Sequence, residues 1–390
     1  MRELLEVPMP ASDGRVDIYS GVARAHGKLW ATVVRPEADR PGADRPGAGR
    51  RELAVVLVHP TSNFMGHYAQ EPLARRGVAA VGMTTRYLGN DSALIMENCV
   101  LDVGAVVRYL KEAEGYRRVV LAGNSGGGGL VALYQSQATK PTITATPAGD
   151  PPDLTRADLI PADGLILLMA HPGRASTYTE WLDAAITDEH DPLRRDPSLD
   201  LFNPDNGPPF SPEFLRRYRA AQLARNRRIT AWVRERLEYA RRAGRPEYGD
   251  LPFVVHGTCA DPRFVDSSID PSDRPAGTLW GEAAVANNLP ATLGHFTSLR
   301  SWLSQWSVDD SECNAARHLP SVTVPVLVVY GTADSAALPH HARESYDAAP
   351  EGRRKLVALA GATHYFSGQP GHLEHACDEI AAWLADEQLA

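Results

Sequence analysis

The sequence has only four cysteines, Cys99, Cys259, Cys313 and Cys377, and no two stand at Cys-x-x-Cys spacing. That scatter supplies neither a zinc ligand set nor a disulfide framework, so the thiols are expected to be reduced and, for Cys99 and Cys377 in helix-like stretches, simply buried. Lysine is equally scarce, with four residues, and the formal net charge is -8. No basic stripe able to neutralise phosphates is present, which excludes nucleic acid as an expected partner. Long apolar runs are missing too. The N-terminus Met1-Arg2-Glu3-Leu4-Leu5-Glu6 lacks the apolar region of a secretion signal, and a run such as Leu165 to Ala170 is far too short to span a bilayer. A cytoplasmic location with no membrane role is the expectation. His340-His341, and His372 with His375, suggest metal ligands at first sight, but suitable partners nearby are few, and neither a metal nor a cofactor is expected.

What the chain does carry is apolar residues in strand-sized runs. With 43% hydrophobic and 23% charged residues, its 390 positions can bury a large core and suit one elaborated α/β domain or a core with an added cap. Strand-like and helix-like segments alternate, as a mostly parallel sheet with flanking helices demands. Residues 15–24 and Lys28 to Val34 read as two antiparallel edge strands. Between Glu37 and Arg50 the motif Ala-Asp-Arg-Pro-Gly occurs twice, and a segment of that composition cannot bury an apolar face, so it reads as a surface loop. The strand Val55 to Val58 ends at His59, a helix follows around Ala69 to Arg76, and Val78 to Met83 is a strand. Asp91-Ser92 are expected to cap a long helix with the stripe Leu94, Val100, Val103, Val106, Val107 and Leu110.

Gly123-Asn124-Ser125-Gly126-Gly127 follows the apolar string Val119 to Ala122 and precedes the helix-like Leu130 to Tyr134. A serine hydroxyl is a poor nucleophile until it is held on a sharp turn and paired with a base, and small flanking residues let the backbone make that turn. Ser125 is therefore the candidate nucleophile. The run Pro325 to Tyr330 ends in Gly331-Thr332-Ala333-Asp334, and Lys355 to Leu359 is followed by Gly361-Ala362-Thr363-His364. Asp334 is placed to orient an imidazole and His364 to act as base, in the order serine, acid, histidine.

As a set, these three motifs, each after an apolar strand, resemble the α/β-hydrolase superfamily over roughly residues 15–171 and 322–388. The resemblance implies a mostly parallel central sheet flanked by helices, a core made of residues 1–171 and 322–390, and a mainly helical cap at 172–321. It also implies Ser125 as nucleophile, His364 as base and then acid, and Asp334 as the group that fixes the imidazole tautomer. A serine at 125 argues against the dehalogenase and epoxide hydrolase chemistries of this fold, which need a carboxylate there.

At the expected oxyanion hole the sequence departs from the common His-Gly, because Pro60 follows His59 and proline has no N–H to donate. The amides of Gly126 and Thr61 are the expected donors. Asn63, Asn124, Trp302 and Trp306 are the expected substrate contacts, the tryptophans as part of an aromatic-rich end of the cap that also holds Trp280 and Phe296. A helix or helix pair from Ser211 to Ala243, opening with Pro212-Glu213, carries ten arginines between Arg216 and Arg242. These read first as a solvated face paired with acidic groups or with the second subunit of a homodimer, and secondly as a receptor for an anionic substrate. The expected function is hydrolysis of a small carboxylic ester through an acyl-enzyme. Amide or thioester cleavage and acyl transfer would use the same groups, and a non-catalytic ligand receptor is the alternative of another class.

Overall fold

The structure is a computed structural model that describes residues 2–10, 27–37, 51–245, 249–290 and 292–390. The strand expected over 15–24 and the repeated Ala-Asp-Arg-Pro-Gly segment lie outside the described residues. Ten strands are described: β1 (Arg2–Pro8), β2 (Lys28–Val34), β3 (Arg51–Val58), β4 (Ala79–Met83), β5 (Tyr116–Ser125), β6 (Gly164–Ala170), β7 (Pro252–Val254), β8 (Phe296–Ser298), β9 (Val326–Gly331) and β10 (Arg354–Leu359). Eight of them form one sheet in the order β1-β2-β4-β3-β5-β6-β9-β10, and β7 and β8 form a separate ribbon. The pairs β1/β2 and β2/β4 are antiparallel, and every pair from β4 to β10 is parallel. The edge partner of β2 is thus β1, which sequence inspection passed over because its alternating Glu3, Leu4, Leu5, Glu6 and Val7 put only Leu5 and Val7 inside.

The parallel strands are apolar throughout because both faces are covered. Along β3, Ala54, Val56 and Val58 pack in one core with the helices Met96–Glu112 and Gly127–Thr139, while Leu53, Val55 and Leu57 face a second core built with Gln70–Arg75 and Pro370–Asp386. This two-sided burial suits the period of two in strand side chains.

The helix expected after Asp91-Ser92 begins later, at Met96, without a side-chain cap of its own. Asp91 instead accepts a bond from Arg174 at 3.1 Å, and the Met96 amide donates to Ser304 Oγ at 2.8 Å. A helix end normally leaves such amides unpaired. Here the partner comes from a segment more than two hundred residues away, so no local capping signal marks the start.

Between β6 and β9 the chain forms the helix Arg174–Trp181, the long helix Pro212–Arg242, the β7/β8 ribbon and a wide helical turn at Trp302–Trp306. Local chemistry sets the long helix. Ser211 Oγ accepts from the Phe214 amide at 3.1 Å, Pro212 and Glu213 occupy its first turn, and Arg241 and Arg242 its last. Its apolar residues Ile229, Val233 and Leu237 pack with Tyr178, Trp302 and Trp306 in a cluster apart from the two cores of the sheet.

Candidate active site

Strand β5 ends at Ser125 and the next helix begins at Gly127, so one residue separates strand from helix. Ser125 has φ 54°, a left-handed conformation that is strained for a residue with a Cβ and that persists only where the surroundings enforce it. Those surroundings are close backbone contacts. A Cβ on Gly123 would lie 2.3 Å from the Gly127 carbonyl oxygen, and one on Gly127 would lie 2.1 Å from the Val58 carbonyl oxygen. Glycine is therefore required on both sides of the turn by space. The neighbouring strand adapts as well, since Asn124 pairs with Leu168 but Ser125 pairs with Ala170, leaving Met169 as a bulge with φ 45°.

Asp334 and His364 follow β9 and β10, on the same edge of the sheet as the end of β5. The two loops are joined by the Ala333 amide, which donates to the Ala362 carbonyl at 3.1 Å. Asp334 is fully buried, its Oδ1 accepts the amides of Ala336 and Ala337 at 2.7 and 2.9 Å, and its Oδ2 accepts from His364 Nδ1 at 2.7 Å. A carboxylate held by two amides can only accept, so the His364 proton is on Nδ1 and the lone pair on Nε2. That Nε2 is buried and has no hydrogen-bond partner among the described residues. Hence no bond joins it to Ser125 Oγ; in ligand-free sites such contacts are commonly long and tighten with substrate.

Three further groups surround the serine turn. The space that a Cβ on Gly126 would take is 3.0 Å from His59 Nε2, 3.6 Å from His171 Nε2 and 3.6 Å from Arg174 Cγ. Burial, followed by the charges of Arg174, His171 and His364, holds His59 well below the usual imidazole range. His171 is lowered too, by burial first and then by His341, Arg174 and His364. Sequence reading missed these residues, although His59 and His171 each directly follow a strand that flanks β5. In a parallel sheet, groups at the carboxyl ends of strands beside the topological centre converge on one crevice, and that rule was the available signal.

The expected contacts are placed otherwise than the sequence suggested. The Thr61 amide donates to His59 Nδ1 at 3.1 Å, beside the Ser62 amide at 3.0 Å, so it is turned onto the imidazole rather than toward the serine. Without an N–H, Pro60 cannot contribute, and the turn after it folds back on the ring. Asn124 is buried and ties β5 to Leu168 O at 2.7 Å and to Tyr68 Oη at 3.2 Å. Asn63 accepts the Met65 amide in a local turn. Trp302 is fully buried and donates to Thr230 Oγ1 at 2.9 Å. Trp306 is also buried, with the Arg174 guanidinium 4.4 Å above its ring, so it borders the site only through Arg174. Of the histidines considered as ligands, His340 and His341 bring nitrogens within 4.8 Å of Glu180. The Arg263 guanidinium stands among them, 2.6 Å from Glu180 and bonded to His340, which places a positive charge where a metal ion would sit.

The arginines of the long helix are engaged within the chain. Arg225 is buried and donates to both oxygens of Glu189 and to the carbonyls of Asp183, His256 and Gly257. Arg219, Arg227 and Arg234 pair with Asp261, Asp309 and Asp310.

An eight-stranded sheet of this order, with a strained serine between its fifth strand and the following helix, defines the α/β-hydrolase fold. The chain has that fold. No protein-family model and no curated protein matches it. Among solved structures it is similar to Est1E from Butyrivibrio proteoclasticus, at 17% identity over 93% of this chain and 96% of that one, with a TM-score of 0.46. A second likeness is the esterase domain of a Rhodothermus marinus protein, at 11% identity over 98% of both chains and a TM-score of 0.44. A third is the α/β hydrolase GrgF from Penicillium sp. sh18, at 9% identity over 96% and 98% and a TM-score of 0.48. Among the described residues no helix is long and apolar enough to cross a membrane.

Proposed function

We propose that this chain is a serine hydrolase that cleaves carboxylic esters through an acyl-enzyme. The observation that carries the reading is the buried Asp334–His364 pair, whose tautomer leaves Nε2 free to take a proton at the end of the sheet where Ser125 is held in a strained turn. In this mechanism His364 Nε2 removes the Ser125 proton as Oγ attacks the ester carbonyl, and the imidazolium is stabilised by Asp334. Collapse of the tetrahedral intermediate breaks the bond to the alcohol, which leaves with the proton from His364. Water, deprotonated by the same nitrogen, then releases the acid. The Gly126 amide, at the start of the following helix, is one donor to the oxyanion.

Residues 172–321 act in this reading as a cap over the serine, with residues 1–171 and 322–390 as the catalytic core. Within this cap, Arg174 stands beside the serine turn and Trp306 packs against its guanidinium. The intramolecular pairing of Arg219, Arg225, Arg227 and Arg234 favours a structural role for the long helix over recognition of an anionic substrate.

The test is turnover of a panel of esters, thioesters and amides together with labelling by a fluorophosphonate. The wild-type chain is expected to hydrolyse at least one ester and to be labelled at Ser125, and Ser125→Ala is expected to lose turnover by several orders of magnitude with an unchanged unfolding midpoint. Residual activity above about a tenth of wild type would reject Ser125 as the nucleophile. A wild-type chain that neither turns over nor labels would point to a ligand receptor on this fold.

A further inference from the structure

An oxyanion needs more than the single Gly126 amide, and the Thr61 amide is engaged elsewhere. Its acceptor, His59 Nδ1, receives two backbone amides, those of Thr61 at 3.1 Å and Ser62 at 3.0 Å. Backbone amides only donate, so Nδ1 must present its lone pair and the proton of the neutral ring is on Nε2. Protonation of the ring would set an N–H against both amides. Burial and the nearby Arg174, His171 and His364 oppose that charge as well. His59 Nε2 has no hydrogen-bond partner among the described residues, although His59 is only half-buried and this nitrogen lies 3.0 Å from the position a Cβ on Gly126 would take. Any side chain at 126 would fill the gap between that N–H and the residue after the nucleophile.

We infer that the His59 Nε2–H is the second oxyanion donor, acting with the Gly126 amide on the same carbonyl oxygen. The inference rests on the serine hydrolase reading above. When Ser125 Oγ adds to the carbonyl, the electron pair moves onto its oxygen, and that oxygen accepts from Nε2 while the proton stays on the ring. The loop after β3 has the task of fixing a tautomer, which explains why its first two N–H groups point at an imidazole. Pro60 suits this arrangement because it adds no competing donor.

Two substitutions separate this role from a purely structural one. In His59→Asn the amide oxygen can take the place of Nδ1 as acceptor for Thr61 and Ser62, but no donor reaches the former Nε2 position. In His59→Gln the longer side chain carries an N–H toward that position and gives up the loop acceptor. The Asn variant is expected to keep its unfolding midpoint and KM while kcat falls by about 10²–10³, and the Gln variant is expected to retain more kcat than the Asn variant. The reverse ranking, or an unchanged kcat in His59→Asn, overturns the assignment and leaves His59 as a loop anchor. A wild-type chain inert to esters and fluorophosphonate overturns the parent reading instead. Nitrogen NMR of the wild-type chain reads the tautomer without any substitution: Nε2 protonated and Nδ1 bare is the expected result, and the opposite tautomer overturns the inference even if both variants unfold.

Discussion

Glu97 is a carboxyl that the sequence gives no reason to single out, yet it is fully buried in the first turn of the helix Met96–Glu112. Its Oε2 accepts from Ser304 Oγ at 2.8 Å, and its Oε1 has no partner among the described residues. Burial pushes it up to about 7. Because the folded value lies above the unfolded one, the folded chain holds a proton that the unfolded chain has lost between roughly pH 4.5 and 7, and stability falls as pH rises through that window. The full effect is on the order of 3 kcal/mol. Glu97→Gln should therefore unfold at higher denaturant than the wild type at pH 8, with the difference shrinking by pH 5. A difference that does not change with pH would mean that Glu97 is ionised in the folded chain at no cost.

The long helix Pro212–Arg242 shows an element whose existence is local and whose role is not. Its cap, its proline and its terminal charges can be read from Ser211 to Arg242, and its observed limits match that reading closely. The direction of its arginines cannot be read that way. Arg225 directs its donors to Glu189 and three carbonyls brought together by distant segments, and removing it takes two bonds from half-buried Glu189, which keeps Arg228, and one donor from each of those carbonyls. Arg225→Ala should cost about 1.5–3 kcal/mol in chemical denaturation. Turnover of neutral and anionic esters should change by the same factor. A selective loss on anionic esters would restore the substrate-receptor role for this helix.

At the scale of the whole molecule, the carboxyl edge of the sheet gathers imidazoles whose protonation burial opposes, His67, His171 and His341 being buried and His59 half-buried. Burial lowers His67 to about 4, and burial, outweighing the contact with Glu180, lowers His341 to about 4. His59 and His171 are lowered in the same direction. For a base whose folded value is depressed, the unfolded chain binds the proton first, so stability is complete above about pH 6.5 and is lost as pH falls toward 4. Each such histidine contributes a slope of about 1.4 kcal/mol per pH unit across that window. Glu97 acts in the opposite sense, but as one carboxyl against several imidazoles. Denaturant midpoints measured from pH 7 to pH 4 should therefore fall steadily, and His67→Gln should make the fall shallower. A flat profile would show that these rings accept protons in the folded state.

The sheet, the serine turn and the positions of Asp334 and His364 were legible in the sequence because each depends on a short stretch of chain. Apolar runs of strand length, a glycine-flanked serine and a polar residue just past a strand are local patterns, and the parallel topology then brings the strand ends together. The start of the helix at Met96, the burial of Trp302 and Trp306, and the turning of the Thr61 amide onto His59 were not legible, because each is decided by a partner or a chain path that no neighbouring residue announces. Sequence by itself determined the class of fold and the order of serine, acid and histidine. Only the tertiary structure decided which nitrogen of His59 carries the proton and what it faces, since a tautomer is chosen by the hydrogen bonds around the ring and those bonds form only when the loop after β3 closes beside Gly126.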